Sequence, residues 1–414
     1  MFNVETIRES FPALHVLKDG KPIIYADSAC MTLKPQVVIE ALTEYYCEYS
    51  ACAGRSPHYF ARQTTTKFED ARDIVARFIN ARDSGEIVWV KNTTEALNLG
   101  SGVLQFDGSG ETIIVTSDSH NSNLVKWMYY ADLGRINLEV LNVGVSGRFS
   151  DEELIEKLEK SKKGRTLVTL AHASNVTGAI LDIKNIAKIV HEYGGIVQVD
   201  GAQSFPHQTI DVRNLDIDLM GVSMHKACGP TGTGFLFGKQ EILESLNALI
   251  LGGETVRDVR LPDGIDLLPP PARFEAGLQN YAGIIGGGAA IEFLKSIGMR
   301  EIHKHNLKLS TILLKGLQDL FGEKIAVLGP SNPIERVALA AIDLKEINAH
   351  EVAILMDEMF NIFLRSGFHC THGLHHQLGL NQGTLRPSWY LYNTKNEVNL
   401  FLDALAEILE TLGI

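Results

Sequence analysis

Apolar residues along the chain fall in short runs separated by stretches of helical periodicity. Residues 86–90 (EIVWV) read as a buried strand, and 93–104 follow as a predicted helix opening at Thr-Thr-Glu. Further strand-length runs lie at 112–116 (TIIVT), 138–143 (LEVLNV), 167–171 (LVTLA), 196–199 (IVQV) and 234–237 (GFLF). Between several of them the spacing turns helical, most clearly at 182–194, where Ile183, Ile186, Ile189 and Val190 share one face. Strands alternating with helices predict an α/β fold with a largely parallel sheet, whose ligands sit at the carboxyl ends of its strands.

The texture changes near residue 295. Helix-like segments at 300–320 and 349–360 surround short predicted strands near 336–343 and 361–365. The last segment places Val398, Phe401, Leu402, Leu405, Ile408, Leu409 and Leu412 at helical spacing and is expected to pack as an amphipathic helix. The division expected is a large domain over 21–295 and a smaller one over 1–20 and 296–414. The Pro-rich stretch 262–272 reads as a surface excursion within the large domain, and Gly286-Gly287-Gly288 as a site of close helix packing.

Composition narrows the function classes. A formal net charge of −12 disfavours nonspecific binding to nucleic acid or an anionic membrane, which needs a positive field. No apolar run approaches the roughly 18–20 residues of a membrane helix, and Met1–Glu5 lacks the basic-then-apolar pattern of a secretory signal, so a cytoplasmic location is expected. Five scattered cysteines, Cys30, Cys47, Cys52, Cys228 and Cys370, argue against a disulfide framework or a four-thiolate zinc site.

The segment 196–230 carries the clearest chemistry. A strand ending in Asp200 puts a carboxylate at the sheet's carboxyl edge, and His225-Lys226 precedes a glycine-rich turn. An amine there could form a Schiff base if its pKa is lowered, and the acid could keep a heteroaromatic nitrogen protonated. On spacing alone, Asp200 equally fits a helix cap and Lys226 a solvated turn residue. GPTGTGFLFGK ends in Gly-Lys but lacks the first glycine of a phosphate-binding P-loop at the required offset.

Ten ordered islands carry a resemblance: YADSA at 25–29, HYFARQTTTKFEDAR at 58–72, NTTEALNL at 92–99, SHNSNLVKW at 119–127, HASNVTG at 172–178, VDGAQSFPH at 199–207, SMHKACGPTGTG at 223–234, RFEAG at 273–277, RSGFHC at 365–370 and LRPSWYLYNT at 385–394. Together they resemble the class V aminotransferase group of pyridoxal-phosphate enzymes, most closely the group II (SufS-like) cysteine desulfurases. The resemblance implies the fold-type I architecture, with a seven-stranded, mainly parallel sheet and a smaller C-terminal α+β domain. It also implies a homodimer with active sites at the subunit interface.

By resemblance Lys226 carries the Schiff base with pyridoxal 5′-phosphate, Asp200 pairs with the pyridinium nitrogen, His120 stacks on the ring and Gln203 meets the phenolic oxygen. Asn175 lies near that oxygen and the substrate. Thr94, Ser223 and His225 match phosphate-contacting positions, and Thr93-Thr94 opens a predicted helix whose free N–H groups favour an anion. Arg386 matches the residue that takes the substrate α-carboxylate. Cys370 matches the nucleophile that takes sulfur from L-cysteine, leaving a persulfide and L-alanine, with His369 beside it to assist. Arg55 aligns with an arginine near the active-site entrance and equally suits a surface ion pair. The sulfur is expected to pass to an acceptor protein, for iron–sulfur cluster or thiolation pathways. Cys370, His372, His375 and His376 have the donor types for zinc, but the resemblance requires a free Cys370, so no metal is expected.

Departures from the family pattern cluster on the substrate side. Leu278-Gln279 follows RFEAG where a threonine is usual, Gly54 precedes Arg55 in place of a histidine, and Cys30 replaces a small residue. Phe368 replaces the first histidine of the usual HHC, His372-Gly373 alters the residues after it, and Pro387 replaces an alanine. They keep open selenocysteine lyase, epimerase or other β-eliminating chemistry on the same cofactor, and a non-catalytic sulfur-relay scaffold.

Overall fold

The computed structural model describes residues 2–104, 110–161 and 165–413. Seven strands form the central sheet: β1 (Ile87–Val90), β2 (Thr112–Thr116), β3 (Asn137–Leu141), β4 (Thr166–Ala171), β5 (Ile196–Asp200), β6 (Leu219–Ser223) and β7 (Gly234–Gly238). Their spatial order is β1-β7-β6-β5-β4-β2-β3, with β7 antiparallel to both its neighbours and every other pair parallel.

The unbroken apolar runs follow from a sheet covered on both faces. Ile87, Trp89, Val168, Leu170, Met220, Val222, Phe235 and Phe237 belong to one buried cluster, while Val88, Val90, Ile113, Val115, Leu167, Leu219 and Leu236 belong to another. This alternation is the period of two expected of a strand. The first face is covered by α1 (Gln36–Glu48), α2 (Tyr59–Phe78), α5 (Ile183–Glu192) and α6 (Tyr281–Ile297), and the second by α3 (Thr93–Gly100) and α4 (Asn121–Asp132). The helix expected over 93–104 ends at Gly100, and a 3₁₀ turn, Ser101–Val103, follows, in which Gly102 lies too close to the Asn247 carbonyl for a side chain. Gly288 sits against Ala71, so the three-glycine run lets α6 approach α2.

Beyond α7 (Met299–Phe321), short strands β8 (Ala326–Val327), β9 (Ile342–Asp343), β10 (Arg365–Gly367) and β11 (Thr384–Arg386) form an antiparallel sheet in the order β8-β9-β11-β10. It packs against α7, α8 (Ala349–Phe360) and α9 (Lys395–Thr411) around Leu309, Leu313, Val352, Met356, Phe401 and Leu405. The strand expected across 336–343 shrinks to its last two residues. Helix α9 opens with a full capping box between Thr394 and Glu397. Residues 262–272 belong in part to a two-stranded hairpin, Val256–Arg260 with Gly264–Leu267, whose tip exposes Leu261 by 92%. Among the described residues no single helix is long and apolar enough to cross a membrane.

Candidate active site

Strands β4, β5 and β6 end side by side, Ala171 in register with Asp200 and Asp200 with Gly221. The loops leaving these ends, the N-terminus of α3 and the β10–β11 pair enclose a cavity of about 250 Å³. It brings together Thr93, Thr94, His120, Asn175, Asp200, Gln203, Ser223, His225, Lys226 and Arg386, which lie up to 293 positions apart in the chain. Cys30, Ser122, Arg365 and His369 also line it.

Lys226 closes a 3₁₀ turn, Met224–Lys226, directly after β6. Its side chain keeps some exposure to the cavity and forms no ion pair among the described residues. Desolvation lowers its pKa, the Asp200 charge opposes this, and Arg386 adds to the lowering. Asp200 is buried, accepts the Ala202 N–H at 2.9 Å, and has its pKa raised by burial against the effects of that bond and of Lys226. A free amine and a carboxylate thus face each other electrostatically in one enclosed space.

The N-terminus of α3 is drawn up against β6 because Gly221 has no side chain: a Cβ there would lie 2.9 Å from that of Ala96. Ser223 Oγ accepts the Thr93 N–H at 2.8 Å and shares a second 2.8 Å hydrogen bond with the Thr93 hydroxyl. The Asn92 side chain caps Glu95 N–H, and the Thr94 hydroxyl bonds that of Ser122 at 2.7 Å. Hydroxyls and first-turn N–H groups therefore form one polar edge at the positive end of a helix. His225 is kept neutral beside it, with a pKa lowered to about 4 by burial and by the charges of Lys226 and Lys34.

His120 caps α4, and its Nδ1 accepts the Ser122 N–H at 3.1 Å. Burial, then Lys226, Arg365 and Arg386, lower its pKa to about 3. The imidazole is therefore neutral and carries its proton on Nε2. Gln203 donates to the Ala29 carbonyl at 2.7 Å while its Oε1 is buried without a partner. Asn175 is spent on the 369–371 loop: its Nδ2 donates to the His369 carbonyl at 2.7 Å, and its Oδ1 accepts the Thr371 hydroxyl at 3.1 Å.

Arg386 stands opposite Arg365 across the β10–β11 pair. It is 1% exposed, donates from Nη1 to the Asn175 carbonyl at 3.0 Å, lies 3.4 Å from Asp27 through Nη2, and leaves Nε without a partner. Cys370 does not itself line the cavity. Its Sγ lies 3.8 Å from Nη2 of Arg365, which does, and its carbonyl accepts the Asn121 N–H at 2.8 Å. His369 and Cys370 adopt left-handed backbone conformations, φ 50° and 58°, in which non-glycine residues are strained.

His369 lines the cavity; its Nε2 donates to the Thr384 carbonyl at 3.1 Å, its Nδ1 is buried without a partner, and burial holds it neutral, so it lends no positive charge to Cys370. Arg55, for which an entrance position and a surface ion pair were both open, is half-exposed, ion-paired with Glu254 and not among the residues lining the cavity of its own chain. Arg365 is the residue that sequence analysis left without a role, although it opens the RSGFHC island. Its cross-strand pairing with Arg386 is not visible in the sequence. Among the described residues no group of three or more His, Cys, Asp or Glu is arranged to hold a metal ion.

The chain matches the family described as "Aminotransferase class-V" over residues 24–401. It is 38% identical to a probable cysteine desulfurase of Halalkalibacterium halodurans, covering 99% of this chain and 97% of that one. A cysteine desulfurase of Haloferax volcanii is 33% identical over 97% of this chain and 96% of its own. The solved apo structure of a cysteine desulfurase from Thermococcus onnurineus superposes with a TM-score of 0.91 at 34% identity, covering 99% of each chain. A cysteine desulfurase from Escherichia coli in an S-sulfonic acid form gives 0.86 at 33% identity, also over 99% of each. With the match spanning both sheets and every cavity-lining island, the chain belongs to the class V aminotransferase family.

Proposed function

We propose that the protein is a cysteine desulfurase that converts L-cysteine to L-alanine and leaves the sulfur as a persulfide on Cys370. The observation that carries this is the convergence of Lys226, Asp200 and Arg386 on one cavity, with the Cys370 thiol at its rim beside a cavity-lining guanidinium.

The family's cofactor is pyridoxal phosphate, and the residues present fit it. A Lys amine with lowered pKa, an acid buried at the sheet edge, an unpartnered Gln203 Oε1 and a polar helix N-terminus are the groups its aldehyde, ring and phosphate require. When bound, it supplies an aldehyde that condenses with amines and a protonated ring that accepts the electron pair released at the substrate Cα. Lys226 would hold the aldehyde and then carry protons; its lowered pKa keeps a fraction of the amine free for both tasks. Asp200 would keep the ring nitrogen protonated. Thr93, Thr94, Ser223 and His225 would hold the phosphate, and Gln203 and Asn175 would border the phenolic oxygen. His120, neutral and protonated on Nε2, would present its ring face and one donor.

Arg386 would take the substrate carboxylate with its spare N–H groups, including Nε. Its ion pair with Asp27 fixes the guanidinium before substrate arrives. Cys370 thiolate then attacks the substrate sulfur: the Cβ–S bond breaks, an S–S bond forms, and protons delivered by side chains complete alanine. An acceptor protein would take the sulfur from Cys370 at the rim. A homodimer extends the proposal, supported by the exposed apolar Val37, Ile39 and Tyr46 on α1 and Tyr59 and Phe60 on α2.

Cys370→Ala tests the core of the proposal. The variant should keep the cofactor's yellow absorbance and lose alanine and sulfide production; turnover of L-cysteine at the unaltered rate would remove Cys370 as nucleophile.

A further inference from the structure

Cys30 stands where the family pattern has a small residue, and the structure puts it to a use that the desulfurase proposal leaves open. Arg365 holds both thiols on one fork: Nη1 lies 3.4 Å from Cys30 Sγ and Nη2 lies 3.8 Å from Cys370 Sγ. Cys30 lines the cavity, whereas Cys370 lies at its rim. Asp27, three residues before Cys30 and 3.4 Å from Arg386, has its pKa raised by burial against the charges of Arg386 and Arg365. The Cys30 thiol therefore has a cation beside it and a carboxylate close in the chain.

We propose that Cys30 is a second sulfur carrier, which takes the sulfane sulfur from the Cys370 persulfide. The proposal rests on Cys370 being the persulfide-forming nucleophile. An added sulfur extends the Cys370 side chain by about 2.0 Å, a good part of the 3.8 Å that separates Cys370 Sγ from the guanidinium it shares with Cys30. Cys30 thiolate attacks that outer sulfur, the Cys370 Sγ–S bond breaks, and its electron pair returns to Cys370 as thiolate. The proton leaving Cys30 passes to Asp27 and on to the sulfur released. One S–S bond is exchanged for another, so no oxidant or reductant is consumed. His369 and Cys370 have left-handed backbone, so the loop carrying the longer side chain is strained at the residues that would have to turn for it to approach. Cys370 is then free for a second substrate while the first sulfur waits on Cys30.

The test counts alanine. Holoenzyme is mixed with L-cysteine without reductant or acceptor, quenched rapidly, and the alanine burst measured per chain, with peptide mass mapping to locate added sulfur. Wild type should release two equivalents and carry sulfur on both Cys30 and Cys370, and Cys30→Ser should release one. A single equivalent from wild type with sulfur confined to Cys370 overturns the relay, as does a Cys30–Cys370 disulfide formed with loss of hydrosulfide. Mapping of the wild-type chain decides the matter even if Cys30→Ser fails to load cofactor. Cys370→Ala separates the two levels: a burst from this variant refutes the nucleophile assignment, while its silence beside a single wild-type equivalent refutes the relay alone.

Discussion

Replacing Arg386 by Lys probes the site where charge and geometry can be told apart. The guanidinium has five N–H donors; one is committed to the Asn175 carbonyl and one points at Asp27, leaving three, the unpartnered Nε among them. A Lys ammonium has three donors on a single atom. It cannot satisfy Asn175, balance Asp27 and grip a carboxylate with two parallel bonds. At least one charge-assisted hydrogen bond to substrate is lost, worth about 1.5–3 kcal/mol. At about 1.4 kcal/mol per decade this is a fall of roughly 10- to 150-fold in kcat/KM. Because the positive charge stays beside Asp27, the fold and the cofactor absorbance should persist, and the loss should fall mainly on KM. The assay is alanine formation against L-cysteine concentration, with absorbance spectra as the control. A variant whose kcat/KM stays within about threefold of wild type, with full cofactor loading, would refute carboxylate binding by Arg386.

Two further outcomes follow from buried charge. Arg72 and Glu275 form a buried bidentate pair at 2.7 and 3.0 Å that also binds the Ile87 carbonyl and the Trp89 N–H, tying the RFEAG island to edge strand β1. Arg72→Met strands the carboxylate and should cost about 3–5 kcal/mol in urea unfolding, part of it regained in Arg72→Met/Glu275→Gln; a loss below about 1 kcal/mol contradicts this. His120 and His207 have pKa values lowered to about 3, and His172 and His225 to about 4, each chiefly by burial. Between about pH 6.5 and those values the unfolded chain binds protons the folded chain refuses. Stability should therefore hold above pH 6.5 and fall below it by up to about 1.4 kcal/mol per pH unit for each histidine. Urea midpoints at pH 7.5 and 5.5 measure the slope, and a flat profile contradicts it.

Much of this was legible in the chain because both-sided burial makes strands continuous apolar runs. The exception is β6, whose Leu219–Ser223 is interrupted by Gly221 and preceded by Asp216 and Asp218. The interruption has a purpose: Gly221 admits Ala96 of α3, and Asp218 ties β5 by accepting the Val197 N–H at 2.8 Å. Asp200 was placed by the strand it ends, whereas Lys226 follows the strand without a pattern, and spacing alone left the chemistry of both open until the resemblance was added. Arg365 was not legible, since its meaning lies in a cross-strand register between two three-residue strands joined by residues 368–383, a connection with a helix in it, His372–Gln377. The pairing of His369 with Thr384 was equally hidden, because only the fold brings the two together.

The substrate side is positioned by a strap that sequence periodicity passes over. Ile24 N–H and Ala26 N–H bond the carbonyls of Asn361 and Phe363, fastening residues 24–26 to the C-terminal sheet's surroundings. Six residues on, Thr32 bonds the His225 carbonyl through both its N–H and its hydroxyl, at 3.0 Å each, and the Cys228 N–H donates to that hydroxyl at 2.8 Å. Asp27 and Cys30 lie between these anchors, so one short segment presents a carboxylate to Arg386 and a thiol to Arg365 while gripping the turn that holds Lys226. A change in the strap is therefore felt at both ends of the site. It alters the setting of the amine through Thr32 and the setting of the two guanidinium groups through Asp27 and Cys30. This is why a cysteine in place of a small residue at position 30 bears on sulfur chemistry rather than on packing: its neighbours are an acid, an arginine and, across that arginine, the other thiol.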